Sequence, residues 1–165
     1  MNRLLSICIL MISFVMTGHS QVVSSGSLDV LRGQGRVNVD LDFSEASIHG
    51  MDEESFAIYE SDWDRDKDEI KLAFIGEALT TCNNLILGTF SNAEYTIKVI
   101  VLSITPKGDY FCKANVLNKS GDVLATIDGI RANGGKIGSK LNLIKDGAKH
   151  TGESFGKFLS KALKK

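Results

Sequence analysis

His49 stands three and four positions before Asp52 and Glu53, with Ser44 and Ser47 just upstream. An imidazole beside carboxylates has the makings of a general base, and a hydroxyl within its reach would supply the nucleophile of a hydrolase. No Gly-x-Ser-x-Gly sequence accompanies these residues, so nothing in the spacing lifts a serine into the strained turn that such a nucleophile occupies. The residues therefore read first as a solvent-facing turn and second as a hydrolytic site around His49. His150 falls on the polar side of a C-terminal helical pattern and reads as a surface histidine.

Two other patterns point to ligands and then fail in detail. Asp62, Asp64, Asp66 and Asp68 alternate as the first carboxylates of a calcium loop do. Counting from Asp62, Lys67 replaces the glycine needed at position six and Ala73 the glutamate needed at twelve; counting from Asp64, Glu69 and Ile75 stand there. The aspartates are better used as an acidic first turn complementing the dipole of a following helix, with Trp63 pinning that turn to the core, and no metal is expected. Gly134, Gly135, Lys136, Ile137, Gly138, Ser139 and Lys140 lie between a strand pattern and a helix pattern, where backbone amides can cradle phosphate. The P-loop spacing is absent, so neither a nucleotide nor another cofactor is expected. Asn118, Lys119 and Ser120 fit a glycan acceptor and also an ordinary hairpin turn.

The cysteines depend on compartment. Asn2 and Arg3 precede an apolar run from Leu4 to Met16, followed by small and polar residues through Gln21. This is the plan of a signal peptide over residues 1–20, with Gly18 and Ser20 fitting the peptidase and cleavage expected between Ser20 and Gln21. Cys8 lies behind bulky Ile7 inside the apolar run, a poor place for lipid attachment. A secreted or periplasmic chain would meet oxidising conditions, making Cys82 and Cys112 a candidate disulfide; the alternative is two separately buried thiols. No Cys-x-x-Cys or Cys/His spacing suggests zinc.

The elements that must position these groups follow from periodicity. The 165 residues are 43% apolar and 24% charged, with one proline, a composition that excludes collagen, extended disorder and a disulfide-dense mini-protein. Residues 21–35 are Ser- and Gly-rich and are expected as a mobile leader, ending in a short strand near Leu28 to Leu31. Val37, Val39, Leu41 and Phe43 alternate with polar residues as a half-buried strand. Asp52 caps a short helix to Glu60, and Ile70, Ala73, Phe74, Ala78 and Cys82, widened by Leu72, Ile75 and Leu79, mark a longer helix over 67–84. Strands follow at 85–90, 95–104, 110–117 and 123–130, then a helix over 141–163. The expected architecture is a single α+β domain over 36–165. It is a two-layer sandwich with a mostly antiparallel sheet of about five strands, two longer helices and one short one.

The final helix is the most distinctive segment. Residues 136–165 hold eight lysines against Asp146 and Glu153, a net +6, whereas residues 21–135 hold 10 basic and 18 acidic side chains, a net −8. The overall charge of −1 argues against nucleic acid, whose binding needs a basic surplus. Lys149, Lys157, Lys161 and Lys164 share the face opposite Ile144, Ala148, Phe155 and Leu159. They form a candidate surface for a partner or for anionic membrane. Ala148, Gly152, Gly156 and Ser160 form a small-residue ridge, expected to dock this helix on the protein's own sheet. The strand from Val37 to Ser44, the stretch from Gly134 to Gly147 and the ending from Thr151 to Leu159 resemble small secreted proteins of unknown function from Bacteroidetes. The resemblance implies an envelope location and supplies no reaction or ligand. The functional expectation is a non-enzymatic secreted or periplasmic module that binds a protein or another envelope component. The alternatives are the His49 hydrolase and a peripheral membrane binder.

Overall fold

A computed structural model describes residues 20–164. The expected signal segment therefore lies, apart from Ser20, outside the described residues. The chain forms strands β1 (Val22–Gly26), β2 (Arg36–Asp42) and β3 (Ser47–Ile48), helices α1 (Glu53–Tyr59) and α2 (Trp63–Thr81), strands β4 (Ile86–Gly88), β5 (Thr96–Ile104), β6 (Tyr110–Leu117) and β7 (Val123–Ala132), and helix α3 (Lys140–Ala162). A single 3-10 turn covers Leu28–Leu31.

The seven strands form one mixed sheet in the order β1-β7-β6-β5-β2-β4, with β3 alongside the far end of β5. Strands β5, β6 and β7 are successively antiparallel, as hairpin connections require, and β1 joins β7 antiparallel from the far end of the chain. Strand β2, however, runs parallel to both β4 and β5, and β3 runs parallel to β5. This corrects the expectation of a mostly antiparallel sheet of about five strands; the α+β class and the two layers stand. The first reason is the helical crossover, because a chain that leaves β2, forms helices over the sheet and returns beside it must run in the original direction. The second is stagger. β4 ends opposite Asn38, the level at which β5 begins on the other side of β2. Residues 89–95 therefore step sideways across β2, about 10 Å for two strand spacings, without retracing its length. Asn38 secures that crossing: its side-chain oxygen accepts the Phe90 amide at 2.5 Å, and its own amide donates to the Tyr95 carbonyl at 3.0 Å.

Residues 21–35, expected as a mobile leader, are built into the domain. Val22 to Gly26 extend the sheet beside β7, and Leu28 and Leu31 are buried. Arg32 then ties this segment to the far end of the chain. Its guanidinium donates to the carbonyls of Ala162, Leu163 and Lys164 at 3.0 to 3.2 Å, placing a cation where the unpaired carbonyls of a helix end concentrate negative charge.

Helices α2 and α3 lie on one face of the sheet, α2 over β2 and β4 and α3 over β6 and β7, and pack extensively against each other. Ile70, Phe74 and Ala78 of α2 are fully buried, but Leu72 and Leu79 are 67% and 40% exposed, so its apolar stripe is narrower than the sequence pattern suggested. Trp63 is fully buried, edge-on to Phe43 and Phe56 at centroid distances of 5.2 Å.

Helix α3 fills its expected span, with Ile144, Ala148, Phe155 and Leu159 fully buried. Its glycine ridge faces α2 rather than the sheet, correcting the expected partner. A Cβ at Gly152 would overlap the Phe74 carbonyl, and one at Gly156 would overlap the Ala78 carbonyl and the Thr81 hydroxyl. The same side is stitched by Thr81 Oγ1 donating to the Glu153 carbonyl and by Ser160 Oγ accepting the Asn83 amide, both at 3.2 Å. Two substitutions test the packing. Phe155→Ala is expected to cost about 3–5 kcal/mol through lost burial and cavity formation. Gly152→Leu is expected to cost at least about 1–3 kcal/mol, because the obstacle is backbone that cannot rotate away. Urea midpoints that match wild type in both variants would show that α3 is not held in the core.

Candidate functional site

The residues that could have formed a hydrolytic site are not brought together. Asp52 caps α1, accepting the Ser55 amide at 2.7 Å. Glu53 accepts from the Trp63 indole at 3.3 Å and pairs with Lys67 at 2.9 Å. Ser44 donates to Asp42 at 3.0 Å, and Ser47 is exposed on β3. His49 sits in a tight reversal closed by reciprocal backbone bonds between Ile48 and Met51, at 2.7 and 3.0 Å. Both central residues, His49 and Gly50, take positive φ, 54° and 83°, which suits a primed turn; histidine tolerates this region better than bulkier side chains do. The His49 ring packs edge-on against Phe56 at 5.2 Å, and its Nε2 is buried without a hydrogen-bond partner. Burial holds the imidazole below its ordinary value of 6.5, with a further push from the Lys140 ammonium and an opposing pull from Glu60. Lys140 is itself held over the Tyr59 ring at 4.2 Å and donates to the Tyr59 hydroxyl at 2.5 Å.

Three of the four aspartates of the ladder, and the glycine-rich loop, are likewise engaged by their own chain. Asp62 and Asp66 pair with Arg65 at 3.0 and 2.8 Å, and Asp64 with Lys67 at 3.6 Å. Among the described residues, no group of three or more His, Cys, Asp or Glu side chains converges as metal ligands would. In the loop before α3, the Gly134 amide donates at 2.8 Å to Asp109, whose other oxygen accepts from Thr105 at 2.9 Å. A carboxylate of the protein thus takes the place in which a phosphate would have been imagined. Ser139 caps α3 by accepting the Asn142 amide at 3.3 Å. Asn118 accepts the amides of Ser120 and Asp122 at 2.9 Å, organising its hairpin turn. His150 meets the Asn133 carbonyl at 2.9 Å on the surface.

Cys82 ends α2 and Cys112 lies on β6; both are buried and form no disulfide with each other. Burial pushes the Cys112 thiol far above its usual range, so it carries almost no reactive thiolate.

A concavity lies elsewhere, along the outer flank of α3. A groove of about 640 Å³ is lined by Ser20 and Gln21, by Gly129 and Arg131 of β7, and by Ser154, Lys157, Phe158, Lys161 and Ala162 of α3. Its position follows from the packing: at 100° per residue, Ser154, Phe158 and Lys161 project from the side of α3 opposite Gly152 and Gly156. Gln21 donates its amide Nε2 to Ser154 Oγ at 2.7 Å, tying the first described residues to the helix. Gly129, at φ 73°, lets the backbone of Ser20 approach closely.

Arg131, Lys157 and Lys161 are exposed around this groove, and no carboxylate lines it. Lys157 pairs with Glu153 one turn earlier, while Arg131 and Lys161 have no ion-pair partner among the described residues. Of the four lysines singled out by sequence, Lys157 and Lys161 reach the groove. Lys149 pairs with Asp146 at 3.3 Å, and Lys164 borders a second hollow of about 390 Å³ with Leu31 and Arg32. Arg131 and Gln21 were missed, because the candidate surface was drawn on one helix and the groove is completed by residues far away in sequence. Among the described residues, no helix is long and apolar enough to cross a membrane.

No protein-family model and no curated protein matches the chain. Among solved structures, the chain is similar to a PelC dodecamer from Paraburkholderia phytofirmans, at 10% identity over 82% of this chain and 97% of that one, with a TM-score of 0.43. A single-substitution form of the same dodecamer, from a second crystal form, matches at 9% identity over 82% of this chain and 94% of that one, with a TM-score of 0.41.

Two outcomes check this description. With its folded value lowered, His49 binds protons more readily in the unfolded chain. Its neutral form therefore supports the fold above about pH 6.5, and that support is lost as the pH falls below this value. A His49→Gln variant is expected to show a flatter decline in thermal midpoint between pH 7 and 5 than wild type, and parallel declines would contradict the assignment. For the thiols, alkylation without reductant should label the peptides holding Cys82 and Cys112 only after denaturation. Absence of label on both in denatured protein would reveal a bridge.

Proposed function

We propose that the protein is a non-enzymatic, secreted or periplasmic module that associates with the cell envelope and acts by binding, using the α3–β7 flank as its contact surface. The observation that carries this reading is the gathering of Arg131, Lys157 and Lys161 around one groove with no lining carboxylate. Elsewhere the charged groups are largely engaged with each other: Asp42 with Lys98 at 2.8 Å, Glu69 with Lys145 at 2.7 Å, Glu53 with Lys67. A patch of one sign left open in a chain of net charge −1 attracts and orients an oppositely charged partner. Binding is favoured over the hydrolase alternative because His49 Nε2 makes no hydrogen bond to a carboxylate or hydroxyl, while Asp52 and Glu53 serve α1 and its neighbours. Insertion of α3 into a membrane is disfavoured, since Phe155 and Leu159 are fully buried; contact with an anionic surface would be through its lysines alone. Release of the chain by cleavage between Ser20 and Gln21 belongs to the same proposal.

A triple charge reversal, Arg131→Glu, Lys157→Glu and Lys161→Glu, tests the reading. Wild-type protein is expected to fractionate with the envelope at low salt and to leave it in about 1 M salt, where screening reaches within about 3 Å. The variant should be released already at low salt, with an unchanged thermal midpoint. Equal retention of the two proteins, or no envelope association of wild type, would refute it.

A further inference from the structure

We propose that the groove between α3 and β7 is a site for a single-chain amphipathic anion, an alkyl body ending in a carboxylate or phosphate head; this deepens the binding reading above and rests on it. The lining has two kinds of surface in a definite arrangement. Phe158 and Ala162, with the backbone of Gly129, give an apolar wall, whereas Arg131, Lys157 and Lys161 supply cations around it. The volume of about 640 Å³ lies within the range of small-molecule sites, which are mostly apolar with a few polar groups that fix orientation.

The cations alone do not account for the site. All three are exposed, so a bare inorganic anion would meet charges that water already solvates and salt screens. An alkyl chain on the same anion changes the balance, since each methylene withdrawn from water onto the wall raises affinity roughly fourfold. The lysine stems extend the apolar surface while their ammonium groups remain in water, placing head and chain of the ligand in complementary surroundings. Arg131, with a planar fork of donors, suits a two-oxygen head such as carboxylate or phosphate. Ser154 adds a polar contact: its oxygen already accepts from Gln21, which leaves its own hydrogen free to donate.

Arg131, like Lys161, has no ion-pair partner among the described residues. Asp109, which shares a neighbouring hollow of about 390 Å³ with it, is held by Thr105 and by the Gly134 amide. Lys145 and Lys149, farther up the helix, are paired with Glu69 and Asp146 and border no such groove. The lower flank of α3 therefore joins two unpaired cations, Arg131 and Lys161, to an apolar wall, with Lys157 paired to Glu153 beside them.

The test uses protein expressed from the full reading frame, with its N-terminus established by intact mass. Calorimetric titration is carried out with octanoate, decanoate, dodecanoate and dodecyl phosphate below their micelle concentrations, and with dodecanol, inorganic phosphate and phosphatidylglycerol vesicles. Saturable binding that strengthens with chain length is expected for the anions, with dodecanol and inorganic phosphate at least tenfold weaker. Arg131→Gln with Lys161→Gln should lose at least tenfold in affinity for dodecanoate. Lys119→Gln with Lys136→Gln, which removes the same charge elsewhere, should bind as wild type does. The inference is overturned by absence of saturable binding, by equal affinity for inorganic and dodecyl phosphate, by equal loss in both double variants, or by binding to vesicles without binding to monomeric anions. If these titrations fail while the triple reversal still releases the protein from the envelope, the ligand class falls and the binding reading survives.

Discussion

The contact of α2 with α3 at Gly152 and Gly156 governs the rest of this architecture. Helices whose side chains keep them apart pack about 8–10 Å from axis to axis. Here a helical backbone lies directly against the Phe74 and Ala78 carbonyls, where a Cβ could not fit. Glycine inside a helix costs about 1 kcal/mol relative to alanine, yet α3 carries Gly147, Gly152 and Gly156. The close approach offsets that cost through contacts and through bonds such as Thr81 Oγ1 to the Glu153 carbonyl. With α3 drawn towards α2, Phe155 stacks on Phe74 at 6.0 Å, Leu159 is fully buried, and Ser154, Phe158 and Lys161 remain on the outer flank, beside β7. The groove is thus a consequence of helix packing.

The ends of the chain complete what this packing begins. Strand β1 closes the β7 edge of the sheet, Gln21 reaches Ser154, and Arg32 holds the last carbonyls of α3. Each of these contacts joins residues at least 99 positions apart. They give the first described residues a structural task that their Ser- and Gly-rich composition conceals. They also make the groove depend on these first described residues, because Ser20 and Gln21 both line it.

The sequence was most legible where one periodicity dominated. The alternation of Val37, Val39 and Leu41 revealed β2, and the apolar repeat from Leu141 bounded α3 to within a residue or two. Pairing was much less legible, because the period of a strand identifies its buried face but not its neighbour. Thus β4 and β5, seven residues apart, resemble a hairpin until the stagger at Asn38 is known. Leu72 and Leu79 misled for a related reason: helical spacing identifies an apolar arc, but the width of the partner surface decides how much of it is covered. His49, Asp52 and Glu53 were adjacent in sequence, yet the turn and the cap directed them to different neighbours. Proximity along the chain was a poor guide to chemistry there. Conversely, Arg131 and Lys161 lie 30 positions apart and meet at one groove.

Charge shows most clearly how local patterns acquire function only through the fold. The surplus of lysine near the C-terminus looks like one basic face when α3 is considered alone. Packing divides it. Lys140 is drawn to Tyr59 and Glu60, Lys145 to Glu69 and Lys149 to Asp146, so the upper half of the helix is largely neutralised by α1, α2 and its own turn. The lower half has no acidic neighbour except Glu153, and Arg131 adds to it from β7. Exposed ion pairs of this kind contribute little to stability. Their larger effect is on the surface potential: by cancelling charge along most of the helix, they leave the positive field concentrated at the groove. A uniformly basic helix would attract any anionic surface along its length. A partly neutralised one favours a ligand whose charge and apolar body fit the same short segment.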